Sequence, residues 1–352
     1  MLKNSGLFDR LRASLQGVDH RWRDVALELL PDKGLAHHHV RLVGTGALAR
    51  IPKQSQLGLG AAANLAYQRA CFERASASGC TPRYLGWLPV SISLPRGALL
   101  VQEIVGRSVL LPVDLHGMAR TLASLHALAL PPEAARAPLL DAVDPLTALA
   151  GEITEQATYV SVVSVDSEVA LTLSRELARL RHLCNATARP ERRLIAFDAH
   201  PGNFMVDGQG KAVLVDLEKC RYSYPGLDLA HATLYTSTTW DVDTRAKLTL
   251  RELLEFYAAW SASAGSLSAD AHAWHLPLRR AMWLWSISWC VKWRALSSLP
   301  AAATTDGEDW AAEGSDAALV AHVRERVDHY LSAGVVGQVL EEFDALEKAW
   351  GV

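Results

Sequence analysis

Leu194–Asp216 reads LIAFDAHPGNFMVDGQGKAVLVD, and its layout decides the fold. A short apolar run, Leu194-Ile195-Ala196-Phe197, leads into the polar loop Asp198-Ala199-His200-Pro201-Gly202-Asn203. Phe204-Met205-Val206 follows, then Asp207-Gly208-Gln209-Gly210, then Ala212-Val213-Leu214-Val215, and the stretch ends on Asp216. Asp-Gly and Gln-Gly dipeptides between two β-rich runs predict a hairpin. Folding that hairpin back carries Asp216 to Asp198 and Asn203. Two carboxylates and one amide are all oxygen donors, a set that suits a hard cation such as Mg²⁺, which also binds phosphates.

The surrounding chain bounds what such a site can serve. Its 352 residues are 50% hydrophobic and 21% charged with a net charge of −3, enough for two lobes with their own cores. Near-neutral charge without a basic run gives no electrostatic footprint for nucleic acid or an anionic membrane. Cys71, Cys80, Cys184, Cys220 and Cys290 are odd in number and scattered, as in reduced thiols rather than a disulfide frame or a zinc site. The first residues are amphipathic without a signal-peptide core, and charges break or flank the longest apolar run, so the expectation is a cytoplasmic protein that does not enter a membrane.

Periodicity and turn residues predict the elements. Leu7, Leu11 and Leu15 mark a short helix. Strands are expected over 25–30, 39–43 and 47–53, joined by the Pro31-Asp32-Lys33-Gly34 and Gly44-Thr45-Gly46 turns. A helix over 64–76 and a strand over 98–103 complete the small part. Beyond residue 112 the chain turns helical. Met118, Leu122, Leu125 and Leu128 make a clear stripe. Residues 133–160 read as a connection with an ill-defined helix. Further helices are expected at 168–183, 244–260 and 276–296, and two over 317–350.

D-x-H-P-x-N, a hairpin, V-D-x-E and a later D-L-A together resemble the aminoglycoside phosphotransferase and choline kinase group, which shares the protein-kinase-like fold. Asp198, His200, Pro201, Asn203, Asp216, Glu218 and Asp228-Leu229-Ala230 fit in order and spacing. The resemblance implies an α+β, two-lobed fold, with a β-rich nucleotide-binding lobe at 1–104 and a mainly helical catalytic and acceptor-binding lobe at 105–352. It implies ATP or GTP as donor, Mg²⁺ as cofactor and a small hydroxylated acceptor. Asp198 becomes the catalytic base, with Asn203 and Asp216 as metal ligands. His200 either hydrogen-bonds the transferring phosphate or braces the loop. Glu218 either assists metal or acceptor or lies on the surface, and Asp228 braces the loop backbone.

In the small lobe, Ala47-Leu48-Ala49-Arg50-Ile51-Pro52 resembles the strand that carries a phosphate-gripping cation, so Arg50 is the candidate and Lys53 the fallback. Gly34–Val40 is the nearest match to the phosphate-covering loop. Its three histidines read as solvated or phosphate-facing, since neighbours on a strand point to opposite faces. Gln68 falls where the family has a glutamate, so an Arg50–Gln68 hydrogen bond is expected in place of an ion pair. Backbone groups of Glu103 and Val105 match the adenine-reading hinge. A second departure is Ala196-Phe197 in place of His-Gly. His126 reads as a structural hydrogen-bonding histidine.

The acceptor is less determined. Trp283, Trp285, Trp289 and Trp293 crowd one helix, with 285, 289 and 293 on one face, read first as a packed apolar helix and second as an aromatic cage for a quaternary ammonium. Asp241, Asp243 and Glu218 are the carboxylates near enough in sequence to meet a cationic acceptor. The alternative to a small-molecule kinase is a non-catalytic kinase-like protein that binds nucleotide or a partner. A protein kinase proper lacks its multi-glycine loop, D-F-G and A-P-E here.

Overall fold

The computed structural model describes residues 2–17, 22, 24–31, 34–297 and 316–351. Asp32 and Lys33 of the first expected turn lie outside them. Helix α1 (Leu2–Leu15) precedes an antiparallel sheet formed by β1 (Leu27–Leu29), β2 (His37–Leu42), β3 (Ala47–Pro52), β4 (Tyr84–Leu88) and β5 (Ala98–Gln102), in spatial order β1-β2-β3-β5-β4. Helix α2 (Ala61–Ala75) crosses between β3 and β4. Successive side chains of a strand leave on opposite faces, and β5 uses this. Ala98 and Leu100 join Leu7, Leu11 and Leu15 of α1 in one core. Leu99 and Val101 join Leu65 and Phe72 of α2 in the main core of the molecule. The expected strands are thus found within a few residues of their predicted ends; β4 was not foreseen.

Past the sheet, β6 (Gly106–Ser108) pairs with β8 (Phe204–Asp207), which pairs in turn with β9 (Ala212–Leu214). The predicted hairpin is therefore present, with Phe204 opposite Leu214 and Val206 opposite Ala212. A second small ladder joins β7 (Arg193–Ile195) to β10 (Arg221–Ser223). Both ladders are too short to read from alternation, and they frame the two ends of the 196–203 loop.

The remaining helices are α3 (Leu115–His126), α4 (Pro145–Ala157), α5 (Ser167–Cys184), α6 (Pro225–Thr233), α7 (Tyr235–Thr238), α8 (Leu250–Ala264), α9 (His272–Leu296), α10 (Ala317–Tyr330) and α11 (Ala333–Trp350). α4 is a full helix rather than an ill-defined one, because Asp144 accepts from the Leu146 N–H and Pro145 takes the first helical position. α8 starts later than the apolar pattern suggested, at a Thr249–Glu252 capping box. α9 packs against α4, α5 and α6, burying Met282, Trp283, Ile287 and Val291. The fold is α+β, a small sheet-bearing lobe on a larger helical one. Among the described residues no helix is long and apolar enough to cross a membrane.

Candidate active site

The loop that leaves β7 is held from below by one carboxylate. Asp228, fully buried in the first turn of α6, accepts the Ala196 and Phe197 N–H groups at 2.7 Å each. His126 Nε2 sits 3.1 Å from the same side chain, and the Trp260 indole donates to His126 Nδ1 at 3.1 Å. An indole only donates, so His126 carries its proton on Nε2 and gives it to Asp228. The contacts agree with the sequence reading of His126 as a structural hydrogen-bonding histidine and of Asp228 as a brace of the loop backbone.

Phe197 takes φ +64°, a left-handed conformation that favours glycine. This is the physical meaning of a glycine before the loop aspartate, and here a phenylalanine bears the cost. Its ring is clamped by the Arg221 guanidinium, 3.6 Å from the ring centre, and by the edge of Trp285 at 5.0 Å. Its carbonyl accepts from His231 Nδ1 at 3.2 Å. His231, unforeseen in the sequence, lies in the Asp228-Leu229-Ala230-His231 run and braces the loop, which has no histidine at Ala196.

Asp198 projects from that strained backbone. Its Oδ2 accepts from Lys219 Nζ at 2.7 Å, and His231 Nδ1 lies 3.7 Å from its Oδ1. Asn203 Nδ2 donates to the Asp198 carbonyl at 2.7 Å, and the Val215 N–H donates to the Asn203 carbonyl at 2.8 Å. The hairpin thus returns its end to the loop as expected, and Asp216 follows at once. Asp216 Oδ1 accepts from Arg50 Nη2 at 2.7 Å. Arg50, 4% exposed on β3, also lies over the Phe72 ring at 5.2 Å.

The expected Arg50–Gln68 bond does not form. Gln68 Oε1 faces His37 Nε2 at 3.0 Å, and its amide donates to Glu218 Oε2 at 3.3 Å. With a neutral amide in the helix position, Arg50 pairs with the nearest full charge, which is Asp216. His37 is buried beside Glu218 at 3.5 Å, so the solvated reading of the first histidine fails; the register of β2 turns it inward. Glu218 is likewise buried, which removes the surface alternative.

Charge follows this packing. Burial pulls the Asp198 carboxyl up, yet Lys219 and the neighbouring histidines overcome it and hold it well below the usual value. Burial also opposes ionisation of Asp216, and Arg50 wins there too. Glu218 gains no such cation at contact distance. Desolvation and the Asp216 charge push it up to about 8. Burial takes His231 down to about 4 and His37 well below its ordinary value. Lys219 stays an ammonium, because Asp198 foremost outweighs its desolvation. The site therefore presents two anions, two fixed cations and a neutral Glu218.

The other candidates surround it. Gly202 lies under Asp241: a Cβ there would stand 2.5 Å from Asp241 Oδ2 and 2.9 Å from the His200 ring, so the absence of a side chain lets Asp241 close on the loop. His200 Nδ1 is buried with no hydrogen bond among the described residues. Glu103, at the end of β5, is gripped by Arg41 at 2.6 Å, and Val105 is 74% exposed in the link to β6. Trp283 and Trp293 are core, whereas Trp285 and Trp289 are half-buried. Trp285 donates to Glu152 at 3.1 Å and Trp289 meets the Trp240 edge at 5.8 Å. Lys219 and His231 escaped the sequence reading; each adjoins a motif residue, Glu218 and Ala230, and that adjacency was the available signal.

The sequence profile of the phosphotransferase enzyme family matches residues 29–265, most of the chain and all of this site. The chain belongs to the phosphotransferase enzyme family. It is an enzyme that moves a phosphoryl group to an alcohol acceptor. No curated protein matches this phosphotransferase by sequence. Among solved structures, a choline/ethanolamine kinase family protein from Mesorhizobium loti superposes with a TM-score of 0.59 at 16% identity, covering 96% of this chain and 99% of that one. A choline kinase from Cryptosporidium parvum gives 0.57 at 15%, covering 99% and 97%. The GDP complex of an aminoglycoside 2'-phosphotransferase-IIIa gives 0.57 at 16%, covering 93% and 98%. These likenesses establish a shared kinase-like fold.

The donor set fits a magnesium ion. Because Asn203 Nδ2 is committed to the Asp198 carbonyl, its Oδ1 faces away from that bond and makes no hydrogen bond among the described residues. The described residues contain no group of three or more His, Cys, Asp and Glu side chains arranged for a metal. Mg²⁺ needs no such cage, since it keeps waters and phosphate oxygens and takes one or two protein oxygens.

Proposed function

We propose that this phosphotransferase carries the γ-phosphate of ATP or GTP to the hydroxyl of a small aminoglycoside-, choline- or amino-alcohol-like acceptor. The observation that carries the reading is that the hairpin β8–β9 brings its two ends, Asn203 beside Asp198 and then Asp216, to one place, with Arg50 of β3 paired to Asp216. Asp198, anionic and fixed, orients the acceptor hydroxyl and takes its proton. Asn203 Oδ1 and Asp216 would hold Mg²⁺, which neutralises phosphate charge when bound. Arg50 can swing a fork of donors toward the α- and β-phosphates while keeping its place against Asp216. Phosphoryl transfer asks for positioning and charge neutralisation more than covalent chemistry, and these groups supply both.

In this reading Glu103 and Val105 offer backbone groups to the base, at a lobe division between residues 104 and 105, and Gln68 acts on nucleotide only through Glu218 and His37. Asp241 and the half-buried Trp285 and Trp289 border the acceptor side.

Calorimetry of Mg²⁺-ATP and Mg²⁺-GTP is the first of two tests. Metal-dependent binding to the wild type, lost in Asp216→Ala, is expected. Transfer of labelled γ-phosphate to a hydroxylated acceptor, lost in Asp198→Asn, then tests Asp198 as the base. Absence of nucleotide binding to the wild type overturns ATP and GTP as donors.

A further inference from the structure

Lys219 directly follows the Asp216-Leu217-Glu218 run, and its ammonium rests 2.7 Å from Asp198 Oδ2 with the side chain only 13% exposed. An ammonium has three N–H donors. The bond to Asp198 is the one hydrogen bond Lys219 makes among the described residues, so two donors are uncommitted. A buried cation is costly unless it is paired and fully hydrogen-bonded; Lys219 has its pair and two N–H groups still open. Arg50 is already engaged with Asp216 at the metal end. The end of the site where the acceptor oxygen would meet phosphorus has Lys219 as the cation bonded to its carboxylate.

We infer that Lys219 is a further catalytic residue, which keeps one N–H on Asp198 and gives the others to the oxygens of the transferring phosphoryl group. The inference rests on the phosphotransfer reading above and extends it. In the step, the acceptor oxygen forms a bond to the γ-phosphorus, and the bond from phosphorus to the β,γ-bridging oxygen breaks. Its electron pair leaves on the nucleoside diphosphate, and the acceptor proton passes to Asp198. Lys219 neither gives nor takes a proton. It neutralises charge spread over the equatorial oxygens, where fixed donors in a dry site act most strongly.

The test is calorimetry of Mg²⁺-ADP and Mg²⁺-GDP, each with and without aluminium fluoride, whose planar fluoride complex stands for the phosphoryl group in flight. Wild type is expected to bind the diphosphate plus fluoroaluminate about 100-fold tighter than the diphosphate alone, as transition-state mimics do. Lys219→Met should keep diphosphate affinity within about threefold and lose most of the fluoroaluminate gain, a loss of the size found when one such donor is removed. Lys219→Gln, one atom shorter but uncharged and with an N–H that can turn to Asp198, provides the same comparison where the methionine variant does not fold. Full retention of the gain in either variant overturns the inference and leaves Lys219 as a structural ion pair, with the phosphotransfer reading intact. Failure of wild type to bind either diphosphate overturns the phosphotransfer reading, and the inference with it.

Discussion

Phe197 shows how one residue can carry two opposed demands. Its backbone stands at φ +64°, which glycine adopts freely, while its ring fills the space between Arg221 and Trp285. Phe197→Ala removes the ring and keeps the strain, so a loss of about 3–5 kcal/mol is expected. Phe197→Gly removes both, and should be the less damaged variant by about 1 kcal/mol. Urea unfolding of the pair checks the order, which is the reverse of that seen in an ordinary helix or strand. Asp228 is a simpler case. Asp228→Ala strands two buried N–H groups and the His126 proton, and about 3–5 kcal/mol of stability should go with it. The sequence marked Asp228 as a brace through its D-L-A motif, but said nothing of Phe197's conformation, because no local pattern encodes a bulky residue at positive φ.

At the scale of elements, the short strand β6 adds a third strand to the hairpin β8–β9. Gly106 lies so close to β8 that a Cβ would stand 2.0 Å from the Val206 carbonyl oxygen, a backbone atom that cannot swing aside. Gly106→Ala should therefore push β6 off β8 and cost about 1–3 kcal/mol or more. A thermal melt should show the loss, and amide exchange should show faster opening at 106–108 and 205–207 than elsewhere. The hairpin β8–β9 itself was plain in the sequence, since turn dipeptides and β-rich runs are local. Its third strand was not, because a three-residue strand has too few positions to alternate.

Across the whole molecule, buried histidines tie stability to pH. His275 is buried among Tyr257, Trp260 and Trp350, and desolvation, with His272 nearby, lowers it to about 4. The folded value is below the ordinary 6.5 of the unfolded chain, so between the two the unfolded chain holds the extra proton. Its contribution is then complete above about pH 6.5 and is lost as pH falls towards 4, at about 1.4 kcal/mol per pH unit. His275→Phe should flatten that decline by about one proton's worth, since the His275 Nδ1 has no hydrogen bond to lose. Urea titrations at pH 7.5, 6 and 5 would measure it. An unchanged slope would assign the acid sensitivity elsewhere, His231 being the next candidate.

The sequence by itself determined the hairpin, the loop residues Asp198 and Asn203, the Asp216 at the hairpin's far end and the stripes of the long helices. Each of these is written in a window of a few residues, as turn chemistry or as a repeat of two or 3.6. Only the tertiary structure decided who pairs with whom. Arg50 meets Asp216 across 166 residues of chain, and Gln68 meets Glu218 across 150. The Lys219–Asp198 pair and the burial of His37 and Glu218 belong to the same class. Such choices depend on how the lobes dock and on which charge is left nearest in a space without water. A one-dimensional pattern holds the inventory of charges, and the fold sets the distances that let one of them win.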